Sequence, residues 1–537
     1  MRMNPIPEIA GAGPRHPSPV IQSLRIARPL PAVRRSALLL PLALAACEDA
    51  TGGGPPEVAQ TCAAPVRLAV GESADLAADA EGRVRCSIQS GGQGEYVVAF
   101  VDTRATEKSR TQNEGYGDAF PPYTVTTALA EDVEPIPAPP ASLSRGAPHL
   151  DVQHVEPPPS HGVVRGTPWT EGERFPLYDG VPQGPRTARV LRVYDERFVF
   201  AWFEGDNEAQ VGRFVAQLDS AWASVRGHAL PLLRAAYSGE DPLTSPGSGQ
   251  YLVVLRDVGR GTALGWTVAI DNFGVPRFWT EVKVRPQASH LRLAELVAHE
   301  LTHAFQGMYM YRTRLTAGGI AAGASFWGVE GSASLVEFET TRRAAGVALT
   351  ANLDRAAASG GGPALQRTAH WSRTSTGRLT DGYDESGAFL RVQAARLVQA
   401  GASEDEAVAE VVRGASDGWH GYDHLNARRT GLTARMRARL GDGWSPEDAL
   451  LDWALGTAAD DRTPAARFQD PTFLRVWDVA GGGPRWPPSA TLYDGAPSSV
   501  TRPYGSPDFM VLRVGGTQPF AAVSSVPGVR WRILRVS

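Results

Sequence analysis

The apolar and polar positions divide this chain into a strand-rich start, a mixed middle and a strand-rich end. Near the start, VRLAV (66–70) and EYVVAFVDT (95–103) read as strands, with a Gly-rich turn at Gly91 and Gly92 before the second. Residues 187–206, TARVLRVYDERFVFAWFEGD, read as a β-hairpin. The period then lengthens to that of a helix over VGRFVAQLDSAWASVRGHALPLL (211–233). Three strand runs follow, YLVVLRD (251–257), TVAIDNF (267–273) and RFWTEVKV (277–284), and then an amphipathic helix over 291–311. Helical patterns cover 329–343, 386–400, 404–413 and 447–458. Strand runs return at FLRVWDV (473–479), FMVLRV (509–514) and WRILRV (531–536).

Strands followed by a long helix predict an α+β domain in the middle of the chain. The expected organisation is a leader (1–47), an N-terminal β-sandwich-like domain (48–130), a Pro-rich linker (131–188), a central domain (189–462) and a small C-terminal β region (463–537). With 537 residues, more than one core is expected. A net charge of −4 gives no support for a nucleic-acid partner.

The leader carries its own signal. Residues 34–47 read RRSALLLPLALAAC, two arginines before an apolar run too short to span a bilayer. That fits a secretory signal, and the residues before 33 fit it poorly, so a later start near Val33 is expected. The ending, Leu44-Ala45-Ala46-Cys47, resembles the lipobox of bacterial lipoproteins. The resemblance implies that Cys47 is lipidated and anchors the exported chain to a membrane. Export to an oxidising compartment leaves Cys62 and Cys86 as one candidate disulfide, worth about 3 kcal/mol in the chain-entropy picture.

The candidate chemistry lies in the 291–311 helix, which contains His299-Glu300-Leu301-Thr302-His303. Two histidines four apart project from one helical face, where both can bind one zinc ion. Glu300 borders that face and can take a proton from the attacking water without ligating the metal. Leu293, Leu296, Val297 and Leu301 supply the apolar face that a buried helix needs. The metzincin continuation is absent, since position 309 is Tyr309.

Downstream, Trp327-Gly-Val-Glu330-Gly-Ser-Ala333 resembles the W-x-x-E-G-x-A segment of the gluzincin superfamily. The resemblance implies that Glu330 is the third zinc ligand. Over roughly 250–460 the chain is similar to secreted bacterial neutral zinc peptidases of the hyicolysin type, on AHELTHAFQ, WGVEGSA, YDESGAFLRV (383–392) and DWALGTAADD (452–461). This implies a zincin-like fold for 189–462. Thermolysin-like members place Asp four residues after the ligand Glu, where this chain has Ser334, so Ser334 and Glu337 are both candidates to back a histidine. For the group that stabilises the oxyanion, the resemblance points to Tyr383, with His370 as the other candidate.

The expected activity is hydrolysis of peptide bonds in a peptide or protein substrate. An endopeptidase is preferred, because the GxMEN segment of aminopeptidases in this superfamily is missing. The alternative is a surface-binding lipoprotein with a vestigial zinc domain, against which the intact Glu300 argues. Gly414-Ala-Ser416-Asp-Gly418 matches GxSxG, but its helical context does not suit a nucleophile elbow.

Overall fold

The computed structural model describes residues 60–102, 123–135, 166–177, 186–206, 208–237, 239, 241–244, 248–257, 264–270, 277–284, 288–314, 326–345, 383–417, 431–459, 491–492, 497–502 and 507–537. The leader with Cys47 and the 473–479 run lie outside them. The strands are β1 (Ser73–Leu76), β2 (Arg83–Asp102), β3 (Tyr123–Ala128), β4 (Arg174–Leu177), β5 (Arg186–Tyr194), β6 (Phe198–Phe203), β7 (Tyr251–Asp257), β8 (Leu264–Ile270), β9 (Arg277–Val284), β10 (Thr491–Leu492), β11 (Ser498–Arg502), β12 (Asp508–Ser524) and β13 (Val529–Arg535). The helices are α1 (Glu208–Ser224), α2 (Leu230–Ala236), α3 (His290–Arg314), α4 (Phe326–Ala345), α5 (Tyr383–Gln399), α6 (Glu404–Ser416), α7 (Leu432–Leu440) and α8 (Pro446–Ala459). None of the described helices is long and apolar enough to cross a membrane.

The central sheet has the order β4-β5-β6-β7-β9-β8. Its hairpin, β5 to β6, closes through Asp195 and Glu196, both at positive φ (52° and 56°), with Arg197 N–H donating to Tyr194 C=O at 2.9 Å. Two consecutive positive φ values match the twist of the flanking strands, but Glu196 has no glycine-like freedom to adopt one. Glu196→Gly is therefore expected to raise the unfolding free energy by about 1 kcal/mol, read from urea denaturation. β6 and β7 are parallel, so a crossover must join them, and α1, a π-helical turn (Val225–Ala229) and α2 provide it. β7 and β9 are also parallel, while β8 runs antiparallel to β9 at the sheet edge.

Helices cover one face of this sheet, where Phe198, Phe200, Trp202, Tyr251 and Val253 pack with Phe214, Leu218, Trp222, Leu293 and Val297. On the other face, Trp169 packs in one core with Phe175 and Leu177 of β4 and with Val199, Ala201, Phe203, Leu252 and Val254. Burial on both faces explains why β6, FVFAWF, is uniformly apolar rather than alternating. The helix α3 lies along β8 and β9, and the π-turn packs against both α3 and α4.

The chain ends differ from the expected division into a sandwich at 48–130 and a separate C-terminal region at 463–537. Strands from both ends form one seven-stranded sheet, β1-β13-β2-β12-β3-β11, with β10 parallel to β12. Each end supplies strands with one apolar face, and pairing them builds a shared core of Tyr96, Val98, Phe100, Leu512, Trp531 and Ile533. The opposite face, including Val97, Ala99, Phe509, Val511 and Leu534, joins the core that holds Leu450, Leu451 and Trp453 of α8. Nor do Gly91 and Gly92 form a turn. β2 continues through them, pairing with β12 on both sides (Gly94 opposite Val514, Gln89 opposite Thr517), and the register shifts between Gly515 and Thr517. Glycines here bend a long ladder instead of ending it. Part of the expected linker is also sheet, because β4 pairs with β5. Cys62 and Cys86 form a disulfide, with Cα atoms 5.1 Å apart.

Candidate metal centre

The histidines of α3 stand one helical turn apart, and their ring centroids are 4.9 Å from each other. The remaining faces of α3 are anchored by buried Leu293, Val297, Leu301, Ala304 and Phe305. Packed across it is α4, which brings in Glu330. Glu330 Oε2 lies 3.3 Å from His299 Nε2 and 3.2 Å from His303 Nε2. Two imidazole nitrogens and one carboxylate oxygen thus converge within 4.8 Å, the donor set of a His₂Glu metal site.

Both Nδ1 atoms point away from that centre and are hydrogen-bonded. His299 Nδ1 meets Glu337 Oε2 at 2.9 Å, and His303 Nδ1 meets Gln306 Oε1 at 2.9 Å. Glu337 is seven residues beyond Glu330, two turns along α4, so both carboxylates share a face. Of the two predicted backing residues, only Glu337 reaches a histidine. Ser334 faces α5 instead: its Oγ is buried without a hydrogen-bond partner, and a Cβ placed on Gly387 would lie 2.9 Å from Ser334 Cβ. A small residue at 334 is what lets α5 approach. No motif in the sequence singles out Gln306, although its spacing three residues beyond His303 puts it on the same helical face.

Behind Glu337 sits a second layer. Arg292 hydrogen-bonds Glu295 and lies 3.5 Å from Glu337 Oε1. Burial, and then the neighbouring Glu337 charge, push the Glu295 carboxyl up to about 8, against the lowering effect of Arg292. Burial acts the same way on Glu337, but its hydrogen bond to His299 prevails and holds it below the usual carboxylate range. Burial would also neutralise both histidines, yet the contacts of His299 with Glu330 and Glu337, and of His303 with Glu330, raise them. Glu330 in turn drops to about 2, because His303 and His299 outweigh its desolvation. Glu330 is thus held ionised, as a cation ligand must be, while the raised histidines favour their protonated form, so a cation would bind by displacing the imidazole protons.

Glu300 is 4% exposed, and its charge acts on both His299 and His303. Tyr383 opens α5, and His370 lies outside the described residues. The GxSxG serine, Ser416, sits in the last turn of α6, bonded to Val412 C=O and Tyr237, in keeping with a structural and not a nucleophilic place.

No protein-family model and no curated protein matches the chain. Among solved structures it is similar to an aminopeptidase N family protein from Idiomarina loihiensis, at 12% identity and a TM-score of 0.31, over 52% of this chain and 51% of that one. The chain thus spans about half the length of that protein.

Proposed function

We propose that this chain is an exported, zinc-dependent endopeptidase with a zincin-like catalytic core. The observation that carries the reading is the convergence of His299 Nε2, His303 Nε2 and Glu330 Oε2 on one point, with both Nδ1 atoms held by acceptors behind them. This donor set suits zinc, with His299, His303 and Glu330 as its ligands. Zinc, when bound, supplies a Lewis acid that acidifies a water and polarises the peptide carbonyl. Glu300 takes the proton of the attacking water and returns it to the leaving amine. Glu337 and Gln306 keep the two imidazoles aimed at the metal.

The edge strand β8 beside α3 supports an extended polypeptide substrate. Among the described residues its only strand partner is β9, so its outer edge can take a peptide by strand addition. Tyr383 is the proposed oxyanion donor. Export and a lipid anchor at Cys47 rest on residues 34–47, and a disulfide between Cys62 and Cys86 suits an oxidising compartment.

The test is zinc uptake and casein cleavage by the full chain, beside Glu330→Ala. Wild type is expected to take up zinc and cleave. Glu330→Ala should lose more affinity than the ~10–100-fold that removal of an outer-shell partner costs. A wild-type chain that takes up no zinc refutes the proposal.

A further inference from the structure

The geometry points to Gln306 as the positioning residue that sets the tautomer of His303 and ties that ring to the helix carrying Glu330. The inference deepens the metallopeptidase reading and rests on it for the identity of the ligand. Gln306 is 1% exposed, so its amide groups must find partners inside the protein. Its Nε2 donates to Val329 C=O at 3.0 Å and to Ser416 Oγ at 3.2 Å. A backbone carbonyl can only accept. The amide nitrogen must therefore face Val329, and the amide oxygen must face His303.

That oxygen, 2.9 Å from Nδ1, accepts only. With a cation on Nε2, His303 must carry its proton on Nδ1; without one, Glu330 Oε2, 3.2 Å from Nε2, competes for that proton. The carbonyl that enforces this belongs to Val329, the residue immediately before Glu330. One side chain thus joins the second histidine to the backbone of the third ligand.

Further partners hold the amide in place. Ser416 Oγ donates to Val412 C=O at 2.9 Å, so its lone pairs remain for Gln306 and for Tyr237, whose hydroxyl lies 2.6 Å away. The chain His303–Gln306–Ser416–Tyr237 spans α3, α6 and the end of α2. This gives the GxSxG serine a role that no nucleophile would need. The two histidines are backed differently: His299 by a carboxylate and His303 by a neutral amide. A glutamate at 306 would turn a carboxylate oxygen toward Val329 C=O, which explains why an amide occupies this position.

Gln306→Met keeps the side-chain length and removes both hydrogen-bonding functions. Zinc affinity of the full-length variant, from chelator competition, is expected to fall about 10–100-fold. Thr340→Val is the control: it deletes an equally buried hydroxyl that, among the described residues, bonds to Val336 C=O within α4, and it should leave affinity unchanged. Ser416→Ala should weaken zinc by less than Gln306→Met. In parallel, long-range 15N–1H spectra of metal-free Glu330→Ala, which removes the competing acceptor at Nε2, recorded at alkaline pH where the ring is neutral, should show His303 protonated on Nδ1. Unchanged affinity in Gln306→Met, or a neutral His303 protonated on Nε2, overturns the inference. If wild type takes up no zinc, the peptidase reading fails, while the spectra still decide the role of Gln306. If Gln306→Met does not fold, the Glu330→Ala spectra decide it.

Discussion

Glu300→Gln is expected to keep its zinc and lose hydrolysis, with kcat falling about 10²–10⁴-fold, the usual contribution of a general base. The substitution is isosteric at a position 4% exposed, so neither cavity nor clash accompanies it. What disappears is the ability to accept a proton. The residue follows His299 on α3, and its charge acts on both imidazoles. Loss in kcat with little change in KM would show that the missing interaction belongs to the transition state and not to substrate binding. Zinc content measured on the same sample separates a lost base from a lost metal. This result also decides between an active peptidase and a vestigial zinc domain: a binding lipoprotein would show no cleavage in wild type, hence nothing for the substitution to remove. Undiminished cleavage by Glu300→Gln would place the base elsewhere.

How much of this centre the sequence displays depends on how local each contact is. His299 and His303 are visible because ligand spacing and apolar face both lie within one helix. Glu330 comes from another helix, and no rule of spacing connects the two, so only the resemblance of WGVEGSA singles it out. The choice between Ser334 and Glu337 turns on which face of α4 meets α5, a fact of packing. Gln306 is local to α3, but its meaning depends on Val329 and Ser416, 23 and 110 residues away.

The same reasoning covers the terminal sheet. Individual strands such as 509–514 and 531–536 show in their alternation, but the ladder pairing Tyr96 with Leu512 leaves no local trace. Two glycines inside an apolar alternation read equally as a turn or as a bend. Only the partner strand, continuing past them with a shifted register, decides for the bend. The π-turn at Val225–Ala229 is likewise hidden, since one wide turn hardly disturbs a helical period over 211–233.

Joining the chain ends into one sheet makes the attachment of that sheet to the helices the point of greatest expected fragility. Arg532 of β13 is 8% exposed and bonds Asp75 of β1 at 2.6 Å, Asp448 of α8 at 2.6 Å and Asp452 of α8 at 2.7 Å. Asp452 also bonds Arg396 of α5 at 2.7 Å, and Asp448 bonds Arg530 at 3.0 Å. Arg532→Leu keeps apolar bulk but strands the carboxylates. Asp75 is half exposed, so water can compensate it and it contributes little to the loss, while the less exposed Asp448 contributes part of it. Asp452 is 7% exposed and loses Arg532 while keeping Arg396. Breaking a buried pair from one side costs about 3–5 kcal/mol, and that loss is expected in urea unfolding of Arg532→Leu. The acid limb supplies an independent check. Burial tends to raise the Asp448 carboxyl, but Ser445, Arg530 and Arg532 together lower it. A depressed carboxyl stabilises the fold above its unfolded value near 3.9, and that contribution disappears as pH falls through the lower folded value. The gap in stability between wild type and Arg532→Leu should therefore narrow as the solution is acidified through this range. A gap that stays constant would assign the role of Arg532 to packing and not to charge.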